Sequence, residues 1–262
     1  MNNHPIGIFD SGVGGTSIWK EINALLPNED TIYLADSKNA PYGEKSKDEI
    51  VRLSIKNTEI LLDKGCKLIV VACNTATTNA IDYLRNNYNL PFIGIEPAIK
   101  PAAIQSQSKT VGVLATKGTL SSSLFHSTSE NHANGIKIIE QVGTGLVPLI
   151  ESGEVNSQET KALLVTYLKP MLAAGIDYLV LGCTHYPYLI PVLEGLLPEN
   201  VKIIDSGEAV ARQTKAVLDK NDLFTNSNEK GNHQFITNTD VGVLGSFLKD
   251  YSSSIKTVYQ DF

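Results

Sequence analysis

The chain has 262 residues, of which 42% are hydrophobic and 19% charged, proportions typical of a folded globular protein rather than a disordered, collagen-like or coiled-coil one. This length is enough for about two domains, or one large one. Lys and Arg number 22 against 28 Asp and Glu, a net charge of −6, which argues against a nucleic acid or an anionic membrane as the main partner. We therefore expect a small-molecule partner.

Short apolar, β-branched runs recur along the chain and predict strands. They lie at residues 5–9, 31–34, 67–72, 91–95, 110–114, 136–140, 178–181 and 201–204. Segments with helical spacing separate most of these runs, which predicts an α/β fold whose parallel strands are covered on both faces. In such sheets, ligands bind beyond the carboxyl ends of the strands.

Landmarks at the predicted strand ends repeat along the chain. IGI at residues 6–8 precedes DSG, and VGV at residues 111–113 precedes TKGT, an offset of 105. The apolar runs that end at Cys73 and Cys183 are offset by 110. The repeat predicts two related, pseudo-symmetric α/β units with parallel sheets and an active site in the cleft between them.

The tail beyond residue 211 has no counterpart in the first unit. It contains a strand-like run at 234–237 and a helix-like run at 241–248, and we expect it to return to the first unit. The predicted domains are therefore residues 1–97 plus 211–262, which contain Cys73, and residues 98–210, which contain Cys183.

No stretch of the sequence has the roughly 18 apolar residues that a membrane helix needs. The start, MNNHPIGIFDSG, lacks the basic and apolar regions of a secretion signal, so we expect a cytoplasmic protein without membrane contact. Three cysteines are too few for a disulfide framework, which makes the reactivity of each the relevant question. Cys66 has no polar neighbour suited to activate a thiol, and a small buried residue is the simpler interpretation.

A helix start is expected beside each of the other two thiols. Asn74 or Thr75 is a suitable cap for the helix after Cys73, and Thr184 opens the segment after Cys183. A helix N-terminus lowers the pKa of a thiol from about 8.5 toward neutrality, and its free N–H groups bind carboxylates. Two thiols facing each other across a cleft could act as base and acid on opposite faces of one carbon, which is what inverting a stereocentre requires.

Six motifs stand out along the chain: FDSGVGG at 9–15, APYG at 40–43, ACNTAT at 72–77, GIEP at 94–97, GCTHYP at 182–187 and DSG at 205–207. Together they resemble glutamate racemase, of the aspartate/glutamate racemase family, in order and spacing from about residue 5 to 212. Aspartate racemases usually lack the opening DSGVGG and the HYP after the second cysteine. The sequence therefore resembles the glutamate branch.

The resemblance implies an isomerase that interconverts L- and D-glutamate without a cofactor and supplies D-glutamate for peptidoglycan, and hence for cell-wall biogenesis and cell shape. It implies that Cys183 deprotonates L-glutamate and Cys73 deprotonates D-glutamate. Asp10 and His185 match auxiliary polar groups of the family, one near each thiol. Family members are often homodimers, which is the expectation here.

The resemblance also implies substrate-binding residues. Positions that bind substrate in the family correspond to Ser11, Asn74, Thr75 and Thr184, and the loop whose backbone binds a carboxylate corresponds to Tyr42 and Gly43. Thr116 and Thr119 could contribute similarly. Glu151 matches a family acid that could meet the substrate ammonium, and a surface helix glutamate is the competing interpretation.

Other functions remain open from the residues alone. The same thiols could racemise aspartate or another amino acid, the chain could be a non-catalytic binding or regulatory protein, or the two cysteines could form a redox dithiol. Pyridoxal phosphate would need a Schiff-base lysine, and none adjoins either cysteine motif. A metal is not expected, because no ligand spacing relates the cysteines to the five histidines, His4, His126, His132, His185 and His233.

Overall fold

A computed structural model describes residues 3–132 and 135–262. These residues form ten strands in two parallel sheets. The strands are β1 (Ile6–Asp10), β2 (Thr31–Ala35), β3 (Leu68–Val71), β4 (Phe92–Gly94), β5 (Thr110–Ala115), β6 (Lys137–Val142), β7 (Tyr178–Gly182), β8 (Lys202–Ile204), β9 (His233–Thr237) and β10 (Ile255–Tyr259).

Helices connect the strands and cover both faces of the sheets. They are α1 (Thr16–Leu25), α2 (Lys47–Asp63), α3 (Asn74–Asn87), α4 (Ile99–Gln105), α5 (Lys117–Leu120), α6 (Ser123–His132), α7 (Leu146–Glu151), α8 (Gln158–Ala173), α9 (Ile190–Glu194), α10 (Gly207–Lys220) and α11 (Val241–Ser246). Short 3-10 helices lie at Ser37–Asn39, Tyr42–Glu44, Tyr186–Leu189 and Lys249–Tyr251. None of the described helices is long and apolar enough to cross a membrane.

The first sheet has the strand order β10-β9-β2-β1-β3-β4, and the second has the order β6-β5-β7-β8. The run β2-β1-β3-β4 therefore repeats as β6-β5-β7-β8, with β1 equivalent to β5 and β3 equivalent to β7. This repeat confirms the predicted α/β fold with two related parallel units. The central strands β1, β3 and β7 are buried along their whole length, as parallel strands covered on both faces must be.

The C-terminal segment adds two strands to the first sheet. Strand β9 pairs with β2, from Thr31 opposite His233 to Ala35 opposite Thr237, and β10 pairs with β9. The exact domain boundaries stay a prediction. Because the sheets are parallel, the ends of β1, β2 and β3 lie at one edge of the first sheet, and those of β5 and β7 lie at one edge of the second.

Candidate active site

Cys73 follows β3 and is the residue that caps α3. Its backbone is extended, and its thiol accepts the Ala76 N–H at 3.4 Å. The prediction that Asn74 or Thr75 caps this helix is wrong, because both residues already lie within it. The thiol donates to the Ser11 hydroxyl at 3.7 Å.

Burial dominates the electrostatics of Cys73. It raises the pKa of the thiol well above its usual value, and the charge of Asp10 raises it further, against the opposing hydrogen bonds from Ala76 and Ser11. The expectation that the helix start lowers this pKa is therefore wrong for the enclosed site, because the loss of water outweighs the helix N–H groups.

Cys183 follows β7 in the second unit, at the position equivalent to Cys73. Its sulfur lies 3.8 Å from Nδ1 of His185. The expected helix after Thr184 is replaced by a 3-10 turn and the five-residue α9. Pro187 and Pro191 account for this, because each lacks the N–H that a regular helix would use.

One small cavity separates the two thiols. Ten of the predicted site residues line it: Cys73, Cys183, Ser11, Tyr42, Gly43, Asn74, Thr75, Thr116, Thr184 and His185. Pro41 and Val147 complete the wall. The cavity has room for about one water molecule. The remaining three predicted residues, Asp10, Thr119 and Glu151, lie behind this wall.

Asp10 is fully buried at the end of β1. Its carboxylate accepts the N–H groups of Gly12 and Gly15 at 3.2 and 2.9 Å, and the Thr184 hydroxyl at 3.2 Å. Burial raises the pKa of this carboxyl, against the positive charge of His185. The Thr184 contact ties Asp10 to the loop that contains the second thiol.

His185 is a buried imidazole with an acid on one side and a thiol on the other. Its Nε2 lies 2.5 Å from Oε1 of Glu151, and its Nδ1 lies 4.0 Å from Asp10. Burial opposes protonation, but the contacts with Cys183 and Glu151 and the negative charge of Asp10 outweigh it and hold the pKa of His185 well above its usual value. Nε2 faces Glu151 and the Gly14 N–H, which lies 3.3 Å away, so Nδ1 is the ring nitrogen left to face the sulfur.

Glu151 is held by the first unit rather than exposed on a helix. Its Oε1 accepts the Val13 N–H at 2.7 Å and its Oε2 accepts the Ser37 hydroxyl at 2.9 Å. The alternative of a surface glutamate is therefore wrong. A direct contact with a substrate ammonium stays a prediction. The glycines of DSGVGG permit this packing, because a Cβ on Gly12 would overlap Glu151 and one on Gly14 would overlap His185.

Three threonine hydroxyls join the two units at the opposite wall. Thr75 lies 2.8 Å from Thr116 and 3.3 Å from Thr119, and the latter two hydroxyls are 3.0 Å apart. Thr119 therefore reaches the cavity wall through its neighbours.

Asp36 is a site residue that the sequence analysis missed. It follows β2, and its N–H donates to the carbonyl of Asp10 at 3.1 Å. Its buried carboxylate accepts the hydroxyl of Tyr42 at 2.6 Å. Its position two residues after the predicted strand at 31–34 was the signal available in the sequence.

Cys66 lies outside this arrangement. It is buried in the core, within contact distance of Gly7, and burial raises the pKa of its thiol to about 12. A metal has no evident site in residues 3–132 and 135–262, where no three His, Cys, Asp or Glu side chains are grouped to hold one.

Comparison with known proteins shows the family to which the chain belongs. The sequence model of the Asp/Glu/Hydantoin racemase family matches residues 6–214. The glutamate racemase of Herpetosiphon aurantiacus is 47% identical over 240 residues, 92% of this chain and 94% of that protein. The chain belongs to the Asp/Glu/Hydantoin racemase family.

Solved structures extend the similarity to the whole fold. A glutamate racemase isoform from Bacillus anthracis gives a TM-score of 0.88 at 28% identity, covering 100% of this chain and 99% of that one. Glutamate racemase from Escherichia coli, in complex with L-glutamate and the activator UDP-MurNAc-ala, gives 0.86 at 35% identity, covering 98% and 97%. The resemblance to glutamate racemases, and with it the isomerase class, is confirmed.

Proposed function

We propose that this protein interconverts L- and D-glutamate by proton transfer between two thiols, without a cofactor. The observation that carries the proposal is the pair Cys73 and Cys183, which follow equivalent strands of two related units and line one cavity. Glutamate is the substrate because the chain is similar to glutamate racemases over nearly its whole length.

In the proposed reaction, the thiolate of Cys183 removes the α-proton of L-glutamate. The C–H bond breaks, an S–H bond forms, and the electron pair stays on the α-carbon and its carboxylate. The thiol of Cys73 then donates its proton to the opposite face, which gives D-glutamate and leaves Cys73 as the thiolate. The reverse reaction exchanges the two roles.

The surrounding groups help the thiols to remove the α-proton of glutamate, which is only weakly acidic. His185, charged and held by Glu151, stabilises the Cys183 thiolate through Nδ1. Asp10 accepts backbone N–H groups near Cys73 and keeps the charge of the site balanced. Fixed dipoles in a cavity with almost no water stabilise the developing carbanion more than bulk water would.

The remaining predicted residues are proposed to bind the substrate. The cavity wall offers hydroxyl, amide and backbone N–H donors for its two carboxylates, from Ser11, Tyr42, Gly43, Asn74, Thr75, Thr116 and Thr184, with Thr119 behind them. We assign Glu151 to the substrate ammonium, which its Oε2 would meet in place of the Ser37 hydroxyl while Oε1 stays against His185. The resemblance further supports D-glutamate supply for peptidoglycan, a cytoplasmic location and a homodimer.

Single L-amino acids in deuterium oxide test the substrate. We expect L-glutamate to gain deuterium at the α-carbon and to lose optical rotation without added cofactor, while L-aspartate keeps both. Exchange of L-aspartate in place of L-glutamate would assign a different substrate. Exchange of neither amino acid, together with a reversible Cys73–Cys183 disulfide on mild oxidation, would favour the redox alternative.

Serine variants test the two-thiol reaction. We expect Cys73→Ser and Cys183→Ser each to lower kcat by at least about a thousandfold, because a hydroxyl is a far weaker acid than a thiol. Serine is also a good helix cap, so the melting temperature of Cys73→Ser should not fall. Cys66→Ala is the matched control and should keep wild-type kinetics, since Cys66 lies away from the cavity. Near-normal turnover in either serine variant would contradict the scheme.

A further inference from the structure

The C-terminal segment supports the cavity wall although it contributes no residue to it. Tyr42 lies in that wall, and its hydroxyl donates to Oδ2 of Asp36 and accepts from the amide of Asn57 at 3.0 Å. The position of Tyr42 and Gly43 therefore depends on where the carboxylate of Asp36 is held. We call residues 36–45, which contain Asp36, Tyr42 and Gly43, the Tyr42 loop.

Asp36 is fully buried, so its carboxylate needs hydrogen-bond donors. Besides Tyr42, it accepts from Nζ of Lys56 at 3.0 Å and from the Asn39 amide at 2.8 Å. The Asn238 amide donates to Oδ1 at 2.6 Å. Each carboxylate oxygen therefore has two donors. Oδ2 accepts from Tyr42 and Lys56, and Oδ1 accepts from Asn39 and Asn238.

Asn238 makes a second contact with the same loop. Its carbonyl oxygen accepts the Lys38 N–H at 2.9 Å. The residue is buried, with 4% of its surface exposed, and directly follows β9, which is fixed by pairing with β2. One side chain on a rigid strand end therefore holds both the backbone and the buried carboxylate of the Tyr42 loop.

We propose that Asn238 is a positioning residue for substrate binding, which holds the Tyr42 loop against the cavity so that Tyr42 and Gly43 can meet a substrate carboxylate. This inference rests on the proposed function. It gives the tail beyond residue 211 a role in the reaction. Because Asn238 does not touch the reacting carbon, its loss should weaken binding of both enantiomers more than it slows the chemical step.

Kinetics of two variants test the proposal. Asn238→Ala removes both contacts with the loop and the 3.3 Å hydrogen bond from the amide to the Phe262 carbonyl. Asn238→Asp keeps an acceptor for the Lys38 N–H and places a carboxylate against that of Asp36. We expect each variant to raise the KM of L- and D-glutamate about tenfold, because each loses about one hydrogen bond to a charged group. The kcat should fall less than about threefold. Thr237→Val is the matched control, because the Thr237 hydroxyl contacts Thr239 and not the loop.

Melting temperatures separate positioning from stability. If Thr237→Val and an Asn238 variant melt at similar temperatures, only the Asn238 variant should show the raised KM. Asn238→Ser, which keeps a short polar group, supplies the same measurement should the alanine variant fail to fold. Wild-type KM in the folded Asn238 variants overturns this inference alone, whereas a wild-type protein that does not racemise glutamate overturns the proposed function.

Discussion

His185 shows how contacts set the charge of a single buried group. An isolated buried imidazole would lose its proton, but Glu151 at 2.5 Å and Asp10 at 4.0 Å favour the charged form. The folded protein therefore binds this proton more tightly than the unfolded chain does. The resulting stabilisation is fully present below the unfolded pKa, about 6.5, and is lost as pH rises through the higher pKa of the folded state.

This linkage gives a measurable pH dependence. We expect the difference in the free energy of unfolding between wild type and His185→Asn to shrink by about 1 kcal/mol or more between about pH 6 and pH 9. Glu151→Gln should likewise have a free energy of unfolding that depends less on pH than that of wild type, because it removes the carboxylate that favours protonated His185. Urea titrations at each pH measure both variants. A difference that stays constant with pH would contradict the charged state of His185.

Individual site residues were predictable where a local pattern marks them. Cys73 and Cys183 each end an apolar run before polar residues, and the structure places both at one cavity. Asp36 was missed because two of its partners, Lys56 and Asn238, lie far away in the sequence. The raised pKa of Cys73 was also beyond a local pattern, since it depends on how completely the two units exclude water.

At the scale of the elements, α1, β2 and β9 are joined by a buried polar chain. The indole N–H of Trp19 donates to the Thr31 hydroxyl at 2.9 Å, which lies 2.9 Å from Nδ1 of His233. The Trp19 and His233 rings meet edge to face, with centroids 5.2 Å apart. Burial lowers the pKa of His233, against the opposing charge of Asp30.

His233 should therefore destabilise the fold in acid. Its folded pKa lies below the unfolded value of about 6.5, so stability is present above that value and is lost as pH falls. We expect wild type to lose up to about 1 kcal/mol more than His233→Gln between about pH 7 and pH 5. Fluorescence of Trp19, the sole tryptophan of the chain, reports the unfolding. Parallel loss in both proteins would place the acid sensitivity elsewhere.

Strands were predictable from the sequence when both of their faces are buried, because such strands are continuous apolar runs. All eight apolar runs of the two units form strands, with ends that differ by at most two residues from prediction. Strand β10 was missed because it is a partly exposed edge strand without a continuous apolar run. The helix expected after Cys183 failed where prolines interrupt its hydrogen bonds.

At the scale of the whole molecule, the two units close around the cavity from both sides. Thr184 bonds to Asp10, and its carbonyl accepts the Ser17 hydroxyl at 2.9 Å, while the Thr75 and Thr116 hydroxyls join the units at the other wall. A cavity with room for about one water molecule is too small for glutamate. Binding and release therefore require the walls to move.

Solvent viscosity tests whether this motion limits the rate. We expect kcat/KM for both enantiomers to fall as sucrose raises the viscosity, because entry and closure are motions through solvent. A variant with slowed proton transfer, such as His185→Asn, should lose this dependence, since its chemical step becomes limiting. Equal sensitivity in wild type and the slow variant would show that sucrose acts by another route.

The two sheets repeat one strand order, yet the thiols at their ends have unlike neighbours, a helix start for Cys73 and an imidazole for Cys183. Mirror-image amino acids have the same free energy in an achiral solvent. Under the proposed reaction, kcat/KM must therefore be equal for the two enantiomers at every pH, whatever groups flank each sulfur. The unlike neighbours can change kcat and KM for each enantiomer, but only in the same proportion. The enantiomer with the lower KM must therefore also have the lower kcat.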